Sequence, residues 1–299
     1  MRVLILGASG LLGEALVEGW KSDDLIPATS KDGDIRDFGQ VRKLLTESRP
    51  DWIVLAAAYT DVDGCETDPT LAHEVNCSGA ANVARAAKEC ASRLLFVSTD
   101  YVFDGSKTAP YETHDQVRPL CAYGRSKAAG EEQVWKILPE ACVLRTSWLF
   151  GAQGKCFPNS ILKLAHERKT LRVVSDQQGS PTFNRDLASV IIRLVRGGAR
   201  GTFHAANSGN CSWFEFAQEA LRSAKLFDVT VTPISTAELN RPAPRPHYSV
   251  LSCASLSRFG LTMRSWQEAV GTYLQEYFAL FPAGRSDAST VRQWADISR

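Results

Sequence analysis

The chain has 299 residues, 44% of them hydrophobic, which is enough for a globular protein with a substantial core. Its 34 Lys and Arg residues nearly balance 33 Asp and Glu residues, and a net charge of +1 gives no reason to expect nucleic acid or a membrane surface as a partner. No apolar run approaches the roughly 20 residues that span a bilayer. The eight cysteines form no C-x-x-C pair or zinc-like cluster, so we expect reduced thiols, a cytoplasmic protein and no metal site.

Short apolar runs alternate with helical patterns through the first half of the chain. Strands are predicted at 3–6, 51–56, 94–98 and 142–144, and helices at 11–21, 38–48, 71–91 and 123–136. This alternation predicts right-handed βαβ units and a parallel sheet of about seven strands with helices on both faces.

The second half of the chain is less regular. Strands are predicted at 171–174 and 202–206, and helices at 187–195 and 213–226. A Pro-rich loop is expected at 241–246, and a loosely held polar tail at 283–299.

A glycine-rich turn directly follows the first predicted strand and opens the first helix. Residues 7–13 read Gly-Ala-Ser-Gly-Leu-Leu-Gly, a G-x-x-G-x-x-G pattern. Gly7 would permit the tight turn, Gly10 the close approach of a pyrophosphate, and Gly13 the packing of helix on strand. The backbone N–H groups at the helix start would bind the phosphates of a dinucleotide. The predicted cofactor contacts in this turn are therefore Gly7, Ser9, Gly10, Leu11 and Leu12.

These features together predict an α/β fold with a Rossmann-type doubly wound parallel sheet and a smaller, discontinuous α/β substrate-binding domain. Residues 1–150 would form the core of the NAD(P)-binding domain, to which later segments return. Residues 151–299 would mostly supply substrate-binding segments.

A Thr-Ser-Lys sequence at 29–31 follows the second strand, where an acidic residue would hold the ribose of NAD. Ser30 and Lys31 could instead accept the 2′-phosphate of NADP, and the alternative is a solvated turn. Asp34, followed by Ile35, is placed to hydrogen-bond the adenine amino group. We expect NADPH as the cofactor, with NADH as the alternative.

A Tyr-x-x-x-Lys pair, Tyr123 and Lys127, lies at the start of a predicted helix, and its spacing places both side chains on one helix face. A tyrosine hydroxyl has an ordinary pKa of about 10, and a neighbouring ammonium would lower that pKa and ease proton transfer. Thr99 ends the strand before this helix, where a hydroxyl can polarise a substrate carbonyl. The alternatives are a surface Tyr–Lys pair and a threonine that only caps a turn.

Further motifs accompany these residues in a set order. They are Ala-Ala-Ala-Tyr-Thr-Asp-Val-Asp at 56–63 with Glu66, Ser-Thr-Asp-Tyr-Val-Phe at 98–103, Arg-Thr-Ser-Trp-Leu-Phe-Gly at 145–151, Asp-Gln-Gln-Gly-Ser-Pro-Thr at 176–182 and Arg-Pro-His at 245–247. Together with the glycine turn and the Tyr–Lys pair, this set resembles the extended short-chain dehydrogenases, and more specifically the dTDP-4-dehydrorhamnose reductase family. The resemblance covers residues 1–278.

The resemblance implies NAD(P)H-dependent reduction of the C4 keto group of a nucleotide-linked 6-deoxy-4-keto sugar. Thr99, Tyr123 and Lys127 would be the catalytic residues, with Tyr123 and Lys127 also touching the cofactor. Three further residues would lie beside the cofactor, and they are Ala57, Ala58 and Tyr59. Four would contact the nucleotide sugar, and they are Asp100, Tyr101, Trp148 and Arg245. Thr99 would contact it as well. A homodimer is a further possibility.

Some positions depart from the family pattern. Leu11, Leu55 and Tyr248 stand where family members often carry Gln, Asn and Asn, and Tyr248 bears on which sugar is bound. A non-catalytic NADP-binding protein, similar to the regulatory subunit of methionine adenosyltransferase, is the alternative function. A dehydratase is disfavoured because Asp100 is followed by Tyr101 rather than by a second acidic residue.

Overall fold

The structure is a computed structural model that describes residues 1–282, so the tail predicted at 283–299 lies outside the described residues. The strands β1 to β12 are Arg2–Leu6, Asp24–Ala28, Trp52–Leu55, Arg93–Thr99, Cys142–Thr146, Leu149–Phe150, Thr170–Val174, Gln178–Gly179, Thr182–Phe183, Gly201–His204, Cys211–Ser212 and Thr230–Ile234. The helices α1 to α11 are Leu11–Gly19, Phe38–Ser48, Val62–Thr67, Pro69–His73, Ala80–Glu89, Ala122–Ile137, Phe157–Glu167, Asn184–Arg196, Trp213–Ser223, Thr236–Leu239 and Trp266–Leu280. Short 3₁₀ segments lie at Asp100–Val102 and Ala254–Phe259.

The main sheet has six strands, all parallel, in the order β10-β5-β4-β3-β1-β2. The predicted Rossmann-type α/β fold is confirmed. The expectation of about seven strands from the N-terminal part was wrong, because five come from the first half and β10 returns from the second. Residues 29–51 hold only a loop and α2 before the chain enters β3, so no segment remains for a strand beyond β2.

Helices cover both faces of this sheet. On one face Leu16 of α1 and Ile191 of α8 pack with Ile5 of β1 in one apolar cluster. On the other face Leu45 of α2 and Val134 of α6 pack in a second cluster with residues of α5. Because all six strands run in one direction, their carboxyl ends share one edge of the sheet, and this is where ligands bind in such folds.

The helix predicted at 71–91 is not continuous: α4 and α5 are separated by a π-helical segment, Glu74–Gly79. The π turn buries Asn76, whose side-chain amide bonds the backbone N and O of Tyr59 at 2.9 and 3.0 Å. It also brings Gly79 against Ile35, where an added Cβ would lie 2.9 Å from that side chain. Such insertions are common near functional sites, and this one fixes the chain after β3.

We use "the smaller region" for β6–β9, β11, β12, α7 and α9–α11. Its strands form three pairs, β6 with β9, β7 with β12 and β8 with β11. Its core is aromatic and contains Phe150, Phe183, Phe216, Trp266 and Tyr273. Between these segments the chain returns to the main sheet through α8 and β10.

All eight cysteines are free, as expected from their spacing. Among residues 1–282, none of the helices combines the length and the apolar character that a bilayer crossing requires.

Candidate active site

The glycine turn is shaped by backbone contacts. Gly7 has a φ of +94°, and a Cβ there would lie 2.6 Å from the backbone N of Ala57, at the end of the neighbouring strand β3. A Cβ on Gly13 would lie 2.1 Å from the Gly7 carbonyl oxygen. Gly10 is the N-cap residue of α1, and no side chain caps this helix. The start of α1 is therefore a bare helix N-terminus at the point where the chain connections diverge from β1, a geometry that suits a pyrophosphate.

The other predicted residues of this turn face different ways. Ser9 and Gly10 are exposed, whereas the Leu12 side chain is buried in the core, so only its backbone is available to a cofactor. The carbonyl oxygen of Leu11 accepts a hydrogen bond of 2.8 Å from the side chain of Asn184 on α8. Asn184, which sequence reasoning missed, thus ties the turn to a segment more than 170 residues away.

A cavity of ≈ 350 Å³ opens at the carboxyl ends of β1, β2 and β3. Six of the predicted cofactor residues line it, and they are Gly7, Ser30, Asp34, Ile35, Ala57 and Ala58. Thr29, Gly33, Arg36, Leu71 and Val75 also contribute. Lys31 is exposed and is not among the lining residues. The cavity is therefore positioned for the adenosine half of a dinucleotide.

Asp34 is less available than the sequence suggested. Arg36 donates to both carboxylate oxygens of Asp34 through its side chain, at 2.6–3.1 Å, and its backbone N–H adds a bond of 2.9 Å. The hydrogen bond from Arg36 lowers the pKa of Asp34 below its ordinary value. An adenine amino group would have to share this carboxylate with Arg36, a cation in the cavity wall that sequence reasoning missed.

Thr99 ends β4 and is buried at the carboxyl edge of the sheet. Its hydroxyl donates to Asp100 Oδ1 at 3.1 Å and accepts from the backbone N of Tyr101 at 3.2 Å. It also lies close enough to the hydroxyl of Tyr123 to lower the pKa of that group. The threonine thus caps the following 3₁₀ segment, as the alternative interpretation held, and also lies near the predicted proton donor.

Tyr123 lies in the first turn of α6, and its ring meets that of Tyr101 edge to face with centroids 5.6 Å apart. Burial raises the pKa of the Tyr123 hydroxyl, and the nearby Thr99 hydroxyl offsets only part of this rise. The sequence led us to expect a pKa lowered by the Lys127 ammonium, and the structure contradicts that expectation. Burial dominates, so Tyr123 keeps its proton at neutral pH.

Lys127 is 2% exposed, and its ammonium donates to the carbonyl oxygen of Val97 at 2.7 Å. Burial lowers the pKa of Lys127 to about 7, and the nearby Glu131 carboxylate opposes this shift. Glu131 lies one helical turn further along α6 and bonds Arg145 of β5 at 2.6–3.3 Å, with both side chains 2% exposed. Glu131 and Arg145 were not predicted, although the i, i+4 spacing from Lys127 was a usable signal for Glu131.

Asp100 is 1% exposed, and its Oδ2 atom lacks a hydrogen-bond partner among the described residues. Burial raises the pKa of Asp100 to about 6, although the hydroxyls of Ser249 and Thr99 oppose the rise. A buried carboxylate oxygen without a partner is unusual, and its position beside Thr99 marks this strand end as a candidate functional position.

Trp148 adopts a left-handed backbone conformation, with a φ of +45°. Its ring stacks on Trp213 of α9, with centroids 3.5 Å apart and planes inclined by 9°. Gly179 makes room for it, since a Cβ there would lie 2.4 Å from Trp148 Cε2. A bulky residue at positive φ is strained, and here the stack and the glycine hold it in place. Trp213 and Gly179 carried no role in the sequence prediction.

Arg245 is not a solvated loop cation. Its Nη2 donates to the Asp63 carboxylate at 2.9 Å and its Nη1 to the carbonyl oxygen of Ala243 at 2.9 Å. Its positive charge also acts on the hydroxyl of Tyr101. Arg245 is therefore near enough to one predicted sugar contact to act on its charge, and its own position is fixed by Asp63. Within residues 1–282, no cluster of three or more His, Cys, Asp or Glu side chains could hold a metal ion.

The chain is 40% identical over 282 residues to dTDP-4-dehydrorhamnose reductase of Mycobacterium tuberculosis, covering 91% of this chain and 92% of that protein. It is 39% identical over 277 residues to the spore coat polysaccharide biosynthesis protein SpsK of Bacillus subtilis, covering 92% and 97%.

A crystal structure of dTDP-4-dehydrorhamnose reductase from Bacillus anthracis, in complex with NADP, superimposes with a TM-score of 0.90 at 40% identity, covering 92% of this chain and 99% of that one. The family model described as "RmlD substrate binding domain" matches residues 1–279. The resemblance inferred from the sequence is confirmed, and the chain belongs to this family, that of the dTDP-4-dehydrorhamnose reductases.

Proposed function

We propose that this protein reduces the C4 keto group of a dTDP-linked 6-deoxy-4-keto sugar with NADPH, or with NADH, and that the reaction converts dTDP-4-dehydrorhamnose to dTDP-L-rhamnose. One observation carries the proposal: buried Tyr123, in the first turn of α6, lies near enough to Thr99 at the carboxyl end of β4 for the Thr99 hydroxyl to act on its pKa. This edge of the sheet also holds the uncapped start of α1 and the cavity after β1.

The site residues divide the work of a carbonyl reduction. A bound reduced nicotinamide supplies the hydride that C4 receives. Tyr123, which burial keeps protonated, donates its proton to O4 as the carbonyl becomes an alcohol. The Thr99 hydroxyl hydrogen-bonds the same oxygen and polarises the carbonyl. Lys127, with a pKa of about 7 from burial, contributes positive charge beneath the site when it is protonated.

The cofactor side supports NADPH binding at least as strong as that of NADH. Ser30 and Arg36 line the adenosine cavity and present a hydroxyl and a guanidinium, both suited to a 2′-phosphate. Lys31 lies exposed next to them. The relative from Bacillus anthracis was crystallised with NADP, which supports the same assignment.

The substrate side supports a nucleotide sugar bound between the main sheet and the smaller region. Asp100, Tyr101 and Trp148 would contact the sugar, and Arg245 the diphosphate. We also propose that the chain divides functionally at residue 150. Residues 1–150 would form the core of the cofactor-binding domain, and later segments would mostly bind the substrate. Tyr248 replaces the usual Asn near this site, so the sugar must be identified by assay.

The test is oxidation of NADPH and NADH, followed by absorbance, with a panel of nucleotide-linked 4-keto-6-deoxysugars. We expect turnover with the dTDP-linked compounds and NADPH, and none when Phe replaces Tyr123. A protein that binds NADPH and dTDP but oxidises no cofactor with any panel member would instead support the non-catalytic alternative. The mass of the protein in solution would test whether it forms a homodimer.

A further inference from the structure

Asp63, the second residue of α3, receives three hydrogen bonds from the Pro-rich loop at 241–246. Its Oδ2 atom accepts from Arg245 at 2.9 Å and from Arg241 at 3.4 Å, and its Oδ1 atom accepts from the backbone N of Ala243 at 3.1 Å. Burial raises the pKa of Asp63, but the bonds from Arg245 and Ala243 outweigh it and hold this pKa below its ordinary value. Asp63 is therefore ionised at neutral pH and accepts three hydrogen bonds from the loop.

The contact joins two parts of the molecule that are 182 residues apart in sequence. Asp63 follows the segment after β3 that borders the predicted cofactor site. The far end of the loop is held separately, because the carbonyl oxygen of His247 accepts from the backbone N of Gln178 at 2.7 Å. Pro246 also packs on Gly105, where a Cβ would lie 2.7 Å from it. Asp63 is thus the anchor of the arginine-bearing half of the loop.

Asp63 occupies only part of the hydrogen-bonding capacity of Arg245. Its carboxylate accepts from the guanidinium groups of Arg245 and Arg241. Arg245 uses Nη1 for Ala243 and Nη2 for Asp63, and a guanidinium carries five N–H donors in a fixed plane. These two bonds restrict the orientation of the guanidinium plane and leave the other donors for a ligand.

We propose that Asp63 is a positioning residue for diphosphate recognition: it does not touch the nucleotide sugar but orients Arg245 toward its diphosphate. This inference rests on the proposed function, because it takes the ligand to be a nucleoside diphosphate sugar. Preorganisation of this kind lowers the ordering cost that a flexible arginine would add to binding. The loss should therefore appear in the affinity for the nucleotide and not in the chemical step.

The experiment measures dTDP binding to the full-length protein by calorimetry, NADPH binding, thermal stability and, where turnover is seen, kcat and KM. Asp63→Asn keeps the shape of the side chain and removes its charge. We expect it to weaken dTDP binding and raise the sugar-nucleotide KM about tenfold, the scale of one charged hydrogen bond. The Kd for NADPH, kcat and Tm should stay near those of the unchanged protein.

Two further variants sharpen the test. Arg245→Met should weaken dTDP binding at least as much, and adding Asp63→Asn to it should cause no further loss, since Asp63 acts through Arg245. Asp61→Asn is the matched control: it removes the same charge two residues away, at the N-cap of α3, where Asn serves equally well. It should leave dTDP binding unchanged.

Four results would overturn the proposal. They are unchanged or tighter dTDP binding in Asp63→Asn, a parallel fall in Tm and NADPH affinity, additive losses in the double variant, and a native protein that does not bind dTDP. Because these measurements need no turnover, a protein that shows the expected binding pattern but reduces no keto sugar would refute the proposed function alone.

Discussion

The turn after β1 is shaped by its own backbone, whereas the surface around Trp148 and Arg245 is shaped by side chains from distant segments. In the turn, Gly7 and Gly13 lie so close to backbone atoms of other residues that neither position has room for a side chain. Around Trp148 the contacts come from Gly179 and Trp213, and around Arg245 from Asp63. The comparison teaches that the cofactor turn depends on close contacts between backbone segments, whereas the predicted substrate side depends on contacts of side chains, for one of which Gly179 leaves room.

The largest expected effect lies where the two sides meet. Tyr123→Phe should lower kcat by about 10²–10⁴-fold, because a positioned general acid is lost, while the cofactor binds nearly as before. Lys127→Ala should be at least as damaging and Thr99→Val less so. Steady-state kinetics with an NADPH titration would check this. Near-normal turnover in Tyr123→Phe would show that another group is the proton donor.

A series of glycine variants tests the cofactor turn after β1. Gly13→Ala places a Cβ 2.1 Å from a carbonyl oxygen and should lower the free energy of unfolding by about 1–3 kcal/mol or more. It should also weaken NADPH binding. Gly10→Ala, whose Cβ would lie 3.4 Å from its nearest neighbour, should weaken NADPH binding with little loss of stability. Thermal unfolding and NADPH titration would measure both.

The control is Gly271→Ala on α11, where none of the described residues outside this stretch of helix has an atom within 4 Å of the added Cβ, and helix propensity predicts a gain of about 0.5–1 kcal/mol. If Gly13→Ala behaved like this control, the turn would not depend on backbone proximity and the comparison would fail.

A change on the predicted substrate side should have a smaller effect, and one confined to the binding of the sugar nucleotide. Trp213→Leu removes the ring on which Trp148 stacks, so the strained conformation of Trp148 loses its support. We expect the KM for the sugar nucleotide to rise several-fold, about 1 kcal/mol for one aromatic pair, with the Kd for NADPH unchanged. The signal of the stacked indoles in circular dichroism should disappear, and Trp213→Phe should recover part of the affinity.

Gly179→Ala should act in the same direction, because its Cβ would displace the Trp148 ring. Equal losses of NADPH and sugar-nucleotide binding in Trp213→Leu would mean that the stack supports the fold as a whole rather than the predicted substrate side.

The parts of the site that could be predicted from the sequence are those encoded by patterns within a short segment of the chain. The glycine turn, Thr99 at a strand end and the Tyr123–Lys127 spacing each lie within a short segment, and the structure brings them to one edge of the sheet. The break in the helix predicted at 71–91 was not readable, because it depends on Asn76 reaching the backbone of Tyr59. The pKa of Tyr123 was also misjudged, since burial depends on everything packed around the ring.

The sequence by itself determined the parallel α/β fold, the cofactor turn and the family, since strand-and-helix periodicity and glycine spacing act over a few residues. Only the tertiary structure decided which partners the site residues have: Arg36 on Asp34, Asp63 on Arg245, and Trp213 under Trp148. The last two pairs join residues from distant parts of the chain. Their contacts depend on how the smaller region packs on the main sheet, and no local pattern encodes that packing.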